Sequence, residues 1–403
     1  MSIIFAKLYK NFPERKCTFC TIISNTKFMY KKLFKNCIRI ILLFSAKLTI
    51  QQYIYIYGFE KKGNCIMAQR QGKYTILLPT EPVIIGSAAV GTKKESEGPL
   101  GSELSFVFSD ETAGESSWER SESTLHKEAI TRAVADAKLT QGDIDALFAG
   151  DLLNQCTGTT FGVRDLNIPI CGMYGACSTM ALTLATAAIM TDCGAVRKSV
   201  ASTSSHFCSA EKQFRMPLEY GGQRSPTAQW TASASGAAVV SADGDGPYIS
   251  AAIIGRITDY GIKDANNMGA AMAPAACNTI CDFLNDTGTI PSDYDMILTG
   301  DLGAVGAELL CELTVKEHNI DISTVHADCG LMLYDRKTQD VHAGGSGCGC
   351  SAAVICSYIM KRLRKGTLKK VLFVGTGALM SAVSSLQGES IPSVAHGVLL
   401  CGR

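Results

Sequence analysis

Asp143-Ile-Asp-Ala-Leu-Phe-Ala-Gly-Asp151-Leu returns later in the same chain as Asp293-Tyr-Asp-Met-Ile-Leu-Thr-Gly-Asp301-Leu. Each copy is a short apolar run closed by Gly-Asp, the pattern of a buried strand ending in a turn. Downstream of the first, Gly175-Ala-Cys177-Ser-Thr opens a helical stretch of small residues; downstream of the second, Gly345-Ser-Gly-Cys348-Gly-Cys350-Ser-Ala opens another. A β run follows each turn, Lys198-Ser-Val-Ala-Ser-Thr and Lys369-Lys-Val-Leu-Phe-Val-Gly-Thr. A pattern that recurs at one internal spacing marks a duplicated architecture. The expected fold is an α/β body of two similar halves, 67–248 and 249–403, with pseudo-twofold symmetry and helices packed on parallel strands.

Around these anchors, Tyr74–Leu78, Val83–Ile85, Asp145–Ala149, Ile168–Cys171 and Ser199–Thr203 read as strands. Leu125, Ala129, Ala133 and Ala137 recur every four residues, with Ile130 and Val134 beside them, and predict an amphipathic helix. Residues 178–191 predict a helix of small residues, and the polar, Gly/Pro/Ser-rich 92–120 reads as surface loop. His126 and His318 fall on polar helical faces and are assigned no role.

The chain has 403 residues, 46% hydrophobic and 19% charged, with a formal net charge of +1. That total hides an asymmetry. Residues 1–66 carry twelve Lys/Arg against Glu14 and Glu60, so the remainder is acidic by nine charges. An acidic body lacks the clustered Lys/Arg of a phosphate footprint, so no nucleic-acid partner is expected. Seventeen cysteines, mostly among small or apolar residues, read as buried free thiols of a protein made in the cytoplasm without a signal peptide. No metal is expected: Cys17-Thr-Phe-Cys20 has no second pair nearby, and Cys348-Gly-Cys350 is a poor chelate spacing. No glycine turn ends in Gly-Lys-Ser/Thr, so no phosphate loop and no cofactor are expected.

Residues 1–66 are rich in Lys, Ile, Tyr, Phe and Asn, and Ile40-Ile41-Leu42-Leu43-Phe44 is far shorter than the roughly 20 residues of a spanning helix. Glu60-Lys61-Lys62-Gly63-Asn64 fits a purine-rich stretch just upstream of Met67, where a ribosome-binding sequence would lie. The expectation is that translation starts at Met67; a basic membrane-surface arm is the alternative.

Cys177 carries the chemistry to be weighed. A thiol at a helix N-terminus feels the positive end of the backbone dipole, which favours thiolate and suits a nucleophile for acyl transfer. A buried small residue at a tight turn explains the same position equally well.

Gly175-Ala-Cys177-Ser-Thr at the head of a helix resembles the nucleophile turn of thiolases and ketoacyl synthases, and Ala232-Ser-Ala-Ser-Gly-Ala-Ala-Val-Val240 resembles the glycine-rich strand closing their first half. The resemblance implies a thiolase-like, five-layered αβαβα body. Further strings are similar to the stage V sporulation protein AD family: Gly98-Pro-Leu-Gly101, Ala149-Gly-Asp-Leu-Leu-Asn-Gln155, Thr203-Ser-Ser-His206, Gln213-Phe-Arg215, Glu219-Tyr-Gly-Gly-Gln223, Met268-Gly-Ala-Ala-Met-Ala-Pro274 and Ala395-His-Gly-Val398. They run from about residue 74 to 400, and residues 1–66 have no counterpart in the family. The resemblance implies a protein that binds dipicolinic acid, pyridine-2,6-dicarboxylate, alone or with calcium. It further implies membrane-embedded sporulation partners, a peripheral place at the spore inner membrane, roles in sporulation and germination, and a homodimer paired through an edge strand of the first half.

Condensing enzymes need two His, or a His and an Asn, beside the nucleophile to polarise a thioester and stabilise developing charge. By order and spacing those positions fall near Gly300-Asp301-Leu302-Gly303 and Gly345-Ser346-Gly347, which hold neither His nor Asn. An Asp beside the thiol raises its pKa instead of activating it. The expectation is a non-catalytic ligand-binding protein, with an acyltransferase or ketoacyl synthase III-like enzyme using Cys177 as the alternative. Candidate ligand-binding residues are Asp151, Asn154, Cys177, His206, Arg215, Asp301, Ser346, Cys348 and His396. Arg215, with Arg224 or Arg256 behind it, supplies a cation for a carboxylate, or simply pairs with Glu211 or Glu219. His206, His326, His342 and His396 each also read as hydrogen-bonded structural residues.

Overall fold

The computed structural model describes residues 67–215 and 223–403; the proposed extension 1–66 and Glu219 lie outside the described residues. The chain enters through an antiparallel ribbon of β1 (Gln69–Gln71) and β2 (Thr75–Leu77), then runs along β3 (Val83–Gly91), with β4 (Phe106–Val107) beside its end. There follow β5 (Ala146–Gly150), β6 (Ile170–Gly172), β7 (Lys198–Ser205), β8 (Trp230–Thr231) and β9 (Ala234–Ser241). The second half supplies β10 (Tyr248–Ile253), β11 (Met296–Thr299), β12 (His326–Asp328), β13 (Gly345–Ser346), β14 (Lys370–Ala378) and β15 (Ser393–Cys401).

The two halves repeat one strand order, β3-β9-β7-β5-β6 and β10-β15-β14-β11-β12, joined where Tyr248 of β10 pairs with Val83 of β3. The sheets are mixed, which corrects the expectation of parallel strands. β9 runs antiparallel to β3 and β7, and β15 antiparallel to β10 and β14, while β5/β6 and β11/β12 are parallel. The short return from β14 to β15 holds no full crossover helix, and such a connection reverses the chain.

The repeated acidic residues explain the repeated sequence. Asp145 Oδ2 accepts the Arg197 and Lys198 amides at 2.7 and 2.9 Å, clamping β5 to the start of β7. Asp295 Oδ2 accepts the Lys369 and Lys370 amides at 2.6 and 2.9 Å, clamping β11 to the start of β14. Asp143 and Asp293 each accept the amide of the residue three positions earlier, Thr140 and Ile290.

Helices α1 (Trp118–Asp136) and α2 (Thr157–Val163) cover the outer face of the first sheet. Between the sheets lies α3 (Thr179–Asp192), and the short α4 (Phe207–Phe214) follows β7. Helices α5 (Met268–Thr287) and α6 (Gly303–His318) cover the second sheet, and α7 (Cys348–Val354), continued by a π turn to Arg364, completes the central layer. The result is the expected αβαβα stack. Gly236 of β9 lets α7 approach, since a Cβ there would lie 2.4 Å from the Ala352 carbonyl oxygen.

Helix α1 buries Leu125, Ala129, Ile130, Ala133 and Val134 as its periodicity predicts, but it buries His126 too. His126 shares the inward line of Leu125 and Ala129. Its Nε2 sits 2.8 Å from Ser202 Oγ and its Nδ1 3.2 Å from Ser204 Oγ, and burial lowers its pKa to about 3. The polar-face expectation was misplaced there.

Candidate functional site

The turn before α3 is tightly wired. Ala176 takes a left-handed φ of 49°, a costly conformation for a residue with a Cβ. It is held by Ser178 N and Oγ donating to the Gly175 carbonyl (3.0 and 2.6 Å) and by Thr179 Oγ1 donating to the Ala176 carbonyl (2.6 Å). Gly377 of β14 presses on this turn so closely that a Cβ would stand 2.3 Å from the Gly175 oxygen. The turn delivers Cys177, buried, to the boundary between the halves.

Asp301, at the end of β11, faces it from the second half. This fully buried carboxyl accepts Thr376 Oγ1 at 2.8 Å, Ser346 Oγ at 3.0 Å and the Gly347 amide at 2.8 Å. The two segments in which sequence order sought an imidazole and an amide are therefore joined to each other, beside the thiol. Burial pushes the Cys177 thiol well above its ordinary pKa, and the Asp301 charge pushes it further. Desolvation and a like charge together overcome the helix dipole. Both effects favour the protonated thiol.

Cys177, Arg215 and Ser346 line one cavity together with Leu152, Thr231 and Met268. About 30 Å³ of it is open to a water-sized occupant, room for one or two waters. Arg215 is its sole charged lining residue among the described residues, and the guanidinium pairs with Glu211 one turn back on α4. Tyr174, Phe214 and Met380 form a neck shared with an outer vestibule of about 550 Å³, whose wall includes Asn154. The vestibule wall also contains Gln155 and Cys156, consecutive left-handed residues. Of these neck residues only Phe214 entered the sequence expectations, inside Gln213-Phe-Arg215; Tyr174 and Met380 did not, since three distant segments bring the neck together. A separate cleft of about 500 Å³ between α1 and α2 shares no lining residue with this cavity.

The other candidates sit elsewhere. Asp151 is a structural turn residue: its carboxylate accepts the Leu153 and Thr159 amides at 2.7 and 2.6 Å and Thr159 Oγ1 at 2.6 Å. His206 caps α4, its Nδ1 accepting the Cys208 amide at 3.2 Å, while Nε2 lies 2.8 Å from the Glu111 carbonyl and the ring stacks on Trp118. Both its ring nitrogens are thus engaged outside the cavity. Cys348 is buried against Cys177 and Leu152, and its thiol donates to the Ser204 carbonyl at 3.0 Å. His396 of β15 packs behind Gly175, where its Nδ1 accepts the Gly255 amide at 3.1 Å, and burial lowers its pKa to about 4. It supports the Cys177 turn from behind without lining the cavity.

The remaining histidines and arginines are also engaged. His326 Nε2 lies 2.9 Å from Thr299 Oγ1, and His342 lies 2.8 Å from the Ser225 carbonyl and 2.9 Å from Asp340. Arg224 covers the Trp230 ring and Arg256 pairs with Asp282. No group of three metal-type donors lies in the cavity lining among the described residues. Among those residues, no helix is long and apolar enough to cross a membrane.

The family model described as stage V sporulation protein AD matches residues 72–401. The stage V sporulation protein AD of Bacillus subtilis (strain 168) is 44% identical over 319 residues, covering 79% of this chain and 94% of that protein. Among solved structures, Xanthomonas campestris OleA H285N aligns with a TM-score of 0.51 at 13% identity, over 80% of this chain and 98% of its own. The 3-oxoacyl-[acyl-carrier-protein] synthase III of Aquifex aeolicus VF5 aligns with a TM-score of 0.50 at 12% identity, over 79% of this chain and 99% of its own. At such identities the two synthases establish the thiolase-like fold alone.

Proposed function

From the premise that this chain belongs to the stage V sporulation protein AD family, a sporulation protein on a condensing-enzyme fold, we propose that it is a non-catalytic receptor for dipicolinate, free or with calcium. The observation that carries this reading is the pairing of Cys177 with Asp301. The thiol is kept protonated, and no imidazole faces it to accept its proton or polarise a thioester. What the cavity offers is one guanidinium, hydroxyls at Thr231 and Ser346, and aromatic rings at the neck. That set suits a planar aromatic carboxylate, whose oxygens would compete with Glu211 for Arg215. The cavity must widen at Tyr174, Phe214 and Met380 to admit it, since small-molecule sites span about 300–1,000 Å³.

The family setting extends the reading. Membrane-embedded sporulation proteins are the proposed partners, holding this chain peripherally at the spore inner membrane during sporulation and germination. A second copy is the proposed partner along β6, the terminal strand of the first half's sheet, whose Ile170, Cys171 and Gly172 are exposed.

The test is a titration of the purified full chain with dipicolinate, with and without calcium, beside incubation with acyl-coenzyme A. Saturable binding that Arg215→Ala weakens at least tenfold, with no mass added to Cys177, is the expected result. Acylation of Cys177 or thioester turnover would establish the acyltransferase reading instead.

A further inference from the structure

Cys277 and Cys281 sit one turn apart on α5, which places both sulfurs on one helix face. Both are buried. His318, the last residue of α6, reaches the same point, and one ligand atom from each of the three lies within 4.8 Å of the others. Among the described residues this is the one such group of three.

The helices are built to bring these side chains together. Gly269 at the start of α5 meets Gly306 at the start of α6, where a Cβ on Gly269 would lie 2.9 Å from the Gly306 amide nitrogen. From that contact the two helices run in the same direction, and an equal advance along each leads to Cys281 and His318. A glycine contact at one end fixes an approach close enough for thiol and imidazole to meet at the other. Asn319, in the left-handed conformation at φ 56°, stops α6 directly after the histidine.

We propose that Cys277, Cys281 and His318 bind a zinc-type divalent cation that ties α5 to α6 on the outer face of the second half. Two thiolates and a neutral imidazole are a familiar donor set for such an ion, with a fourth position left for water or an oxygen ligand. Zinc bonds of about 2.3 Å to sulfur and about 2.0–2.1 Å to nitrogen call for ligand atoms about 3.5–3.8 Å apart, reached here by small side-chain rotations. On binding, each thiol loses its proton to solvent, the imidazole nitrogen donates a lone pair, and the divalent charge meets two thiolates. The assembly is neutral, which is the condition for placing an ion between packed helices. On the solvent side Glu317 sits beside His318 in sequence and accepts a hydrogen bond from Tyr260 at 3.1 Å, so an oxygen donor stands near the entrance. The proposal departs from the expectation of no metal, and it is independent of the dipicolinate reading.

The experiment uses the full chain, stripped with a chelator and titrated with zinc against a chromophoric competitor, then with cobalt(II). One tight equivalent is expected, and the cobalt form should show a thiolate-to-metal charge-transfer band with tetrahedral d–d absorption. Cys281→Ser should abolish the band. His318→Ala, at a helix end where folding is little affected, should weaken zinc by at least about 100-fold, more than the 10–100-fold that an outer partner costs. Cys311→Ser, on α6 but directed at His326, should change nothing. An absent tight equivalent, a band that survives Cys281→Ser, or zinc affinity unaltered in His318→Ala would each overturn the proposal and leave the two cysteines as buried apolar residues.

Discussion

Replacing Asp301 with Asn tests what raises the pKa of the Cys177 thiol. The substitution keeps the size of the side chain and removes its charge. Two opposing charges at about 4 Å interact by about 4 kcal/mol at the effective dielectric of about 20 that describes buried protein sites as well. The same magnitude applies, with opposite sign, to a thiolate beside a carboxylate, and about 1.4 kcal/mol corresponds to one pKa unit. The Cys177 thiol should therefore lose the part of its elevation that the Asp301 charge supplies, while the part due to burial remains. The change is not free of structural cost. The carboxyl accepts three hydrogen bonds from Thr376, Ser346 and Gly347, and an amide group facing those donors leaves one unpaired, at about 1–3 kcal/mol. The assay is the pH dependence of iodoacetamide modification at Cys177, read by peptide mass spectrometry, with Cys348 as internal control and circular dichroism to verify folding. The midpoint of the Asn variant should fall, while that of Cys348 moves less. An unchanged midpoint in a folded variant would show that burial alone raises the thiol's pKa, and the main argument against the enzyme reading would lose its electrostatic half.

Two further outcomes follow from the same structure. Burial raises the pKa of Asp328 from 3.8 to about 7, so the folded protein holds a proton that the unfolded chain releases. Stability should thus fall as pH rises from about 4 to about 7, by up to about 4 kcal/mol, and Asp328→Asn should flatten that slope in urea unfolding at several pH values. Gly377→Ala places a methyl 2.3 Å from the Gly175 oxygen and 3.1 Å from the Ser178 nitrogen. It should cost about 1–3 kcal/mol and displace the Cys177 turn, whereas Gly142→Ala, whose nearest neighbour is 3.8 Å away, should be neutral in the same melts.

The duplicated fold was legible because its signature is local. Asp145 and Asp295 serve backbone amides at equivalent places, so the same residue types recur at the same spacing. Strand direction was less legible, since β9 and β15 differ from a parallel strand only in how the chain arrives. At the site, the Cys177 turn and the Asp301 and Ser346 segments could be paired by order alone. The neck of Tyr174, Phe214 and Met380 could not, because nothing in those three segments marks them as neighbours. His206 and Asp151 belong to strings shared with the family, yet their polar atoms are consumed by backbone amides and carbonyls. Family resemblance therefore singled out structural residues along with cavity residues. The Cys277–Cys281 spacing was visible, but its histidine lies on another helix, beyond the reach of a spacing rule.

The central layer has a consequence for how the protein is made. Helix α3 packs on β7 of its own half and also on β14 and β15, residues 370–378 and 393–401. A chain emerging from the ribosome therefore displays one side of α3 bare until nearly all the described residues have been translated. Final consolidation must be a late event, and the waiting intermediate presents an apolar surface of Ala, Leu and Met that a chaperone can hold. Deleting β15 would then strand the first half in that sticky state, even though every residue of the Cys177 turn had already been built.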